Sequence, residues 1–267
     1  PITVSVLRWL IPAVLMWPWV RPHLPRDWPI MRAHWKILLW LGLTGGAFFT
    51  AFQYIGLQYT SAINVSVMNS LVPVLILATG ALLFSDRIGL RQVGGIALSL
   101  AGVLAIIAHG QFETLLNLGF NWGDLIILSN MIVFSVYAVC LRRLPDIHPL
   151  SFLFTVAIIT IVSTAPFAVW EAASGNRLSL DWLTAGSIVY VSLFSSLIAF
   201  IAWNRGVELI GASRAGPFLH LVPVCTALVS GLLLGEHLAI YHVAGFAVIL
   251  AGVWLAAKRS DAAKAAT

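Results

Sequence analysis

The sequence predicts an all-α polytopic membrane protein, and three observations carry that prediction: too little charge for a water-facing shell, a series of apolar runs of membrane-spanning length, and an internal duplication. Charged residues make up 9% of the 267 and hydrophobic residues 60%. A soluble domain carries about 25% charged residues because its surface meets water. Lipid is therefore the solvent for most of this chain. Eleven Trp fit that solvent, since indole favours the lipid–water boundary. The net charge of +5 bears on orientation in the membrane, and no nucleic-acid partner is expected. Cys140 and Cys225 both lie in apolar runs and are expected to pack rather than to form a disulfide or bind metal.

A bilayer core of about 30 Å needs about 20 apolar residues as helix. Nine segments meet or approach this: 2–20, 36–57, 62–84, 91–109, 122–141, 149–170, 182–204, 212–235 and 238–257. Connections such as Tyr59-Thr60-Ser61 and Gly235-Glu236-His237 allow only tight hairpins. With strictly alternating loops, thirteen of the fifteen Lys and Arg fall on one face: Arg21, Arg26, Arg32, Lys36, Arg87, Arg91, Arg142, Arg143, Arg205, Arg214, Lys258, Arg259 and Lys264. Arg177 lies on the other face, and Arg8 lies within the first span. Basic loops remain cytoplasmic, so the C-terminus is expected inside, with the chain in a bacterial inner (plasma) membrane.

Shifted by 150 residues, the sequence aligns with itself without gaps. "LVPV" at 71–74 falls on 221–224 and "LAGV" at 100–103 on 250–253, with 15 identities in the 48 positions from 56 to 103. Such self-similarity marks duplication. The span 122–141 has its first-copy counterpart before residue 1, so a tenth helix is expected upstream. Residues 1–110 are expected to form a first repeat lacking its first helix, 111–120 an inter-repeat loop, 121–260 a second repeat, and 261–267 a cytoplasmic tail. Five helices per copy is odd, so the copies insert with opposite orientation. Inverted repeats recur in secondary transporters, whose solute site lies near the midplane between the repeats.

The stretches "QYIGLQYTSAINVSVMNSLVPVLILATGALLFSDRIGLRQVGGIALSLAGVLAII" and "AWNRGVELIGASRAGPFLHLVPVCTALVSGLLLGEHLAIYHVAGFAVILAGVWLA" each resemble one half of an EamA-type transporter of the drug/metabolite transporter superfamily. Each has a small-residue hairpin, an apolar helix with a central Pro, an acidic residue at its end and a Gly-rich final helix. "VLRW" at 6–9 resembles the family's early Arg motif. Within the superfamily the chain looks most like the YddG-type exporters of aromatic and other amino acids. The resemblance implies a ten-helix, five-plus-five fold with nine helices present here. It also implies export of small metabolites, amino acids first, through a central cavity by alternating access.

Polar groups in lipid are costly, so those inside spans face protein or a cavity. Ser66, Asn69, Ser70 and Pro73 share a face at helical spacing; Asn69 and, nearer the helix start, Asn64 are candidate solute ligands. His220, the repeat partner of Ser70, offers a donor and an acceptor near midspan. Gln53 and Tyr54 align with Trp203 and Asn204 in one pseudo-symmetric place, where rings and amides suit an amphiphilic solute. On the span 122–141, Ser129 and Tyr137 are the cavity candidates, and Asn130 faces about 100° away from Ser129. Pro73, Pro217 and Pro223 free backbone carbonyls and are candidate hinges. Each of these residues has a plainer reading as helix-to-helix packing. Arg8 reads first as structural, and Asp124 as a helix N-cap.

None of the ten acids is central in a span. That favours a facilitator over a proton-coupled drug or metabolite antiporter. A carrier of sugar nucleotides or phosphorylated metabolites would want Lys or Arg in the cavity, and central basic residues are missing. No HExxH, paired deep carboxylates or Ser–His or Cys–His spacing points to an enzyme. No cofactor is expected, the partners are the solute and the bilayer, and a monomer is favoured.

Overall fold

The computed structural model describes residues 2–108, 119, 121–174, 181–226 and 240–257. The described chain is helical throughout, as expected of backbone in lipid, where every amide must be satisfied within its own segment. Helix α1 spans Ile2–Val20 and α2 Leu24–Ala33; α3 (Trp35–Gly42) runs through a π-helical segment, Leu43–Phe48, into α4 (Phe49–Gly56). Helices α5 (Ala62–Asn69) and α6 (Val72–Phe84) form one broken span, followed by α7 (Leu90–Ile107), α8 (Trp122–Cys140) and α9 (Pro149–Ala173). Helix α10 (Trp182–Tyr190) continues through a second π segment, Val191–Ile198, into α11 (Ala199–Ile210). Then come α12 (Ala212–Ala215), a 3-10 turn at Gly216–Leu221, and α13 (Ile240–Ala257).

Seven of these units are long and apolar enough to cross a membrane: Ile2–Val20, Trp35–Gly56, Asn64–Phe84, Leu90–Ile107, Trp122–Arg143, Pro149–Ala173 and Trp182–Ile210. They match the first seven expected spans, with the seventh extended by six residues beyond 204. The expected spans 212–235 and 238–257 lie partly outside the described residues, as do His109, Arg177, Glu236 and the basic tail. One element was not expected. The stretch after the first span folds as α2, with Pro25 at its start and Asp27 in its first turn. Pro is tolerated in a helix's first turn because the amides there have no intrahelical partner.

Both ends of the bundle are tied by polar contacts. On the basic face, Arg142 donates to both carboxylate oxygens of Asp86, at 2.9 and 2.5 Å. The same guanidinium lies 4.2 Å from the centre of the Phe84 ring. The His148 amide donates to Asp27, and the His23 and His148 rings stack 3.7 Å apart. At the opposite end Thr60 and Asn64 donate to the buried carboxylate of Asp124, and Thr3 donates to Glu171. Asp124 is not the N-cap expected from the sequence. Asn121 holds that place and accepts from the Asp124 amide, while the Asp124 carboxylate accepts from the Asn121 amide. This reciprocal pair is a capping box.

Helices α7 and α13 pack antiparallel through glycines seven residues apart. Gly95 faces the Gly252 carbonyl and Gly102 faces that of Gly245. A Cβ on Gly252 would sit 2.6 Å from the Gly95 carbonyl oxygen, so only glycine allows this approach. Under the 150-residue offset each of these contacts maps onto the other. Small residues that let backbones touch are the usual means of joining helices where lipid is as apolar as the side chains.

Candidate functional site

A cavity of about 850 Å³ opens on the basic face between α8, α9 and α11. Its mouth is charged, with Arg142, Asp146, Arg205 and Glu208 on the lining. Its walls are apolar, with Ala138, Phe152, Leu153 and Ile201. At its inner end lies Asn204, whose Oδ1 accepts a hydrogen bond of 2.7 Å from the Tyr137 hydroxyl. The size and the sparse, placed polar groups are those of a small-molecule site.

Tyr137 is fully buried, and its place depends on a glycine. Gly45, in the first π segment, packs directly against the Tyr137 ring, where a side chain on residue 45 would collide. Beyond Tyr137 lies a cluster of rings. Phe200 lies 6.2 Å from Tyr137 and stands edge-on to Trp9 at 5.0 Å. Trp9 is itself pinned by its indole N–H to Thr50. Phe134 continues the cluster toward Trp203, 5.4 Å away. Ring edges prefer ring faces, so these rings pack as one cohesive layer next to the inner end of the cavity.

Residues about a turn apart along the long helix Trp182–Ile210 mark the layers. Ser192, Ser196, Phe200, Asn204 and Glu208 follow at four-residue spacing, about one turn apart. Glu208 is at the mouth, Asn204 at the inner end, and Phe200 in the ring layer. Past the ring layer Ser196 accepts a hydrogen bond from the Nε of Arg8. Arg8 is 8% exposed, and no carboxylate among the described residues pairs with it. A charge at such depth costs about 2.5–3.5 kcal/mol on insertion scales. The Arg8 side chain thus turns into the bundle toward Ser196.

The structure gathers some candidate ligands and separates others. Tyr137, Asn204, Trp203 and Gln53 converge around α8. Gln53 accepts from the Asn130 amide at 2.8 Å, and Asn130 and Tyr137 are two turns apart on one face. Asn130 is buried, whereas Ser129 is exposed and donates to the carbonyl of Leu125 on its own helix. The angular separation of the two residues holds, but the face that packs inward is Asn130's. Tyr54 is half-buried on α4. Two buried polar atoms here have no partner among the described residues, Asn130 Oδ1 and the Trp203 indole nitrogen.

Asn64 stands apart, bound to Asp124 and the Gly119 carbonyl at the far end of the bundle. Asn69 is exposed at the end of α5. His220 is 1% exposed with both ring nitrogens engaged, Nε2 to the Ser70 carbonyl at 2.8 Å and Nδ1 with Ser99 Oγ at 2.5 Å. It joins equivalent positions of the two copies, since Ser70 and His220 are 150 residues apart. Pro73 opens α6 where the span breaks, and Pro217 opens the 3-10 turn. Both are buried, while Pro223 is half-buried in the helical stretch that follows. Asn130, Ser196 and the charged mouth were not singled out from the sequence. The hydroxyl cluster at Ser192, Ser195 and Ser196 inside an apolar run was the available signal for one of them.

The chain matches the EamA-like transporter family over residues 1–108 and 121–258. It is 31% identical over 214 residues to the uncharacterized transporter YyaM of Bacillus subtilis, covering 80% of this chain and 70% of that one. It is 26% identical over 192 residues to a probable amino-acid metabolite efflux pump of Salmonella typhimurium, covering 67% and 62%. A solved crystal structure superposes with a TM-score of 0.76 at 20% identity, covering 96% of this chain and 86% of the other.

Proposed function

Because this chain belongs to the EamA-like transporter family, we propose that its cavity carries small metabolites out of the cell, amino acids first, by alternating access between the two repeats. The observation that carries this reading is the layered path along one helix. A charged mouth leads through an apolar vestibule to the Tyr137–Asn204 pair, and the Trp9–Phe200–Tyr137 rings close it. A site closed on one side and open on the other is half of an alternating-access cycle. Rings and amides suit a solute with an apolar side chain and polar ends. The likeness to a probable amino-acid metabolite efflux pump supports the same solute class. Within the family, the YddG-type exporters remain the proposed nearest kind.

The proposed mode is facilitation. No carboxylate among the described residues lines the path at depth, and the acids near it stand at the mouth. The test uses proteoliposomes of the full-length protein loaded separately with labelled Trp, Phe, Met, Thr or Lys. Release faster than from empty vesicles is expected for the neutral amino acids. Release no faster than from empty vesicles for every solute would reject the amino-acid reading. An imposed pH gradient is expected to leave the rate unchanged; a solute-dependent proton current would replace facilitation with coupling.

A further inference from the structure

We infer that Arg8 and Ser196 form an anion subsite that takes the carboxylate of the transported solute. The inference rests on the transport reading and adds to it a specific ligand chemistry. Arg8 is buried within α1, and among the described residues only the Nε of its five N–H donors is used, toward Ser196. Among the described residues the two terminal nitrogens make no hydrogen bond and meet no carboxylate. Guanidinium forks match carboxylates with two parallel bonds, so an unpaired fork at depth selects a planar anion.

Ser196 supports the same reading independently. Buried hydroxyls in these spans commonly donate to a carbonyl one turn back, as Ser192 does to Ile188, Thr160 to Val156 and Thr164 to Thr160. Ser196 does not. Its oxygen accepts from Arg8, so its own proton is uncommitted among the described residues. Ser196 lies in the π segment Val191–Ile198, and such segments interrupt the regular ladder and are frequent at functional sites. Ser5, one turn before Arg8 and fully buried, has a hydroxyl without a partner among the described residues. The place is thus rich in donors and lacks an anion. The Trp9–Phe200 pair adjoins it, Trp9 following Arg8 in α1 and Phe200 one turn from Ser196. A solute whose carboxylate meets Arg8 therefore has its apolar part beside rings.

The test measures thermal stabilisation of the purified full-length protein by four probes: phenylalanine, 3-phenylpropionate, phenylalaninamide and phenethylamine. The two acids are expected to raise Tm, and the amide and amine are not. Arg8→Gln is expected to abolish the effect of the acids, and Arg8→Lys to weaken their apparent affinity about tenfold or more, as for loss of one charge-assisted bond. Equal stabilisation by acids and amide, no stabilisation by any probe, or an unchanged response in Arg8→Gln would overturn the subsite. If Arg8→Gln does not fold, Ser196→Ala decides. It is expected to weaken the acids about tenfold and leave the amide alone; unchanged acid affinity would count against the proposal. Acid binding that depends on Arg8, in a protein that releases no amino acid from proteoliposomes, would keep the subsite and reject the transport reading. Amino-acid flux indifferent to Arg8 would do the reverse.

Discussion

Tyr137 holds its hydroxyl at the inner end of the cavity because Gly45 makes room for its ring and Asn204 gives it an acceptor. Tyr137→Phe keeps the ring and removes the bond. It is expected to cost about 1 kcal/mol of stability, the usual net worth of such a bond, and to slow solute release severalfold. Release at the wild-type rate in proteoliposomes would return Tyr137 to a packing role. At the basic face, the His148 ring stacks on His23 in loops outside the spans. Burial pushes the His148 pKa down from its ordinary value, and the neighbouring His23 and Arg26 charges push the same way against the pull of Asp27. The folded protein thus prefers the neutral ring. Between the lowered pKa and the ordinary one near about 6.5, the unfolded chain binds more protons, so stability falls as pH drops through that window. Tm measured at pH 7.5 and 5.5 should decrease toward the acid side, with a smaller decrease in His148→Gln. An equal decrease in both proteins would remove His148 from the account.

Among elements, the antiparallel α7–α13 contact brings backbone directly against backbone. Gly252→Ala places a methyl against the Gly95 carbonyl, with backbone rather than a movable side chain in the way. The helices must separate, at a cost of about 1–3 kcal/mol as for overpacking elsewhere, read as a lower Tm. Gly94→Ala is the control, because nothing lies within 4 Å of its Cβ position. Equal Tm for the two variants would show that the glycines are not what sets the approach. The two π segments belong to the same scale. Leu43–Phe48 and Val191–Ile198 fall on each other under the offset that aligns the copies, and they carry Gly45 and Ser196 to the path. Periodicity had marked both stretches only as continuous helix. A π turn changes one hydrogen-bond step in the backbone and leaves the apolar pattern intact.

At the scale of the whole molecule, the cavity mouth and the basic loops share one face, tied by Asp86–Arg142 and His23–His148. The Asp86 carboxyl is held below its ordinary range chiefly by the Arg142 hydrogen bond, so this tie persists at neutral pH and weakens only in acid. If the basic face is cytoplasmic, as proposed from the charge distribution, the cavity is open inward. With Cys140 and Cys225 replaced by Ser, Glu208→Cys is expected to react with a membrane-impermeant maleimide in inside-out vesicles and not in intact cells. Ser192→Cys, beyond the ring layer and buried, is expected to stay unlabelled from that side. Labelling of Glu208→Cys in intact cells would reverse the orientation.

Composition and span length were enough to determine a helical membrane bundle, because the cost of putting charge and unpaired amides in lipid leaves few alternatives. The duplication implied that equivalent helices in the inverted copies run opposite ways, but that α7 and α13 meet through Gly95, Gly102, Gly245 and Gly252 was decided by packing. Tertiary structure alone decided which polar residues meet. Asn64 and His220 are polar residues of the spans, as Asn204 is. Yet Asn64 is consumed by Asp124 and His220 by Ser70 and Ser99, while Asn204 stands at the end of a cavity. Helical spacing sets the angle between Ser129 and Asn130, but only the neighbouring helices choose which one faces in. Arg8 is the sharpest case: its depth was legible from position, but its unpaired fork depends on a serine 188 residues away. Long-range partners of this kind leave no local pattern, because each helix is stable in lipid by itself and the contacts arise only when the helices associate.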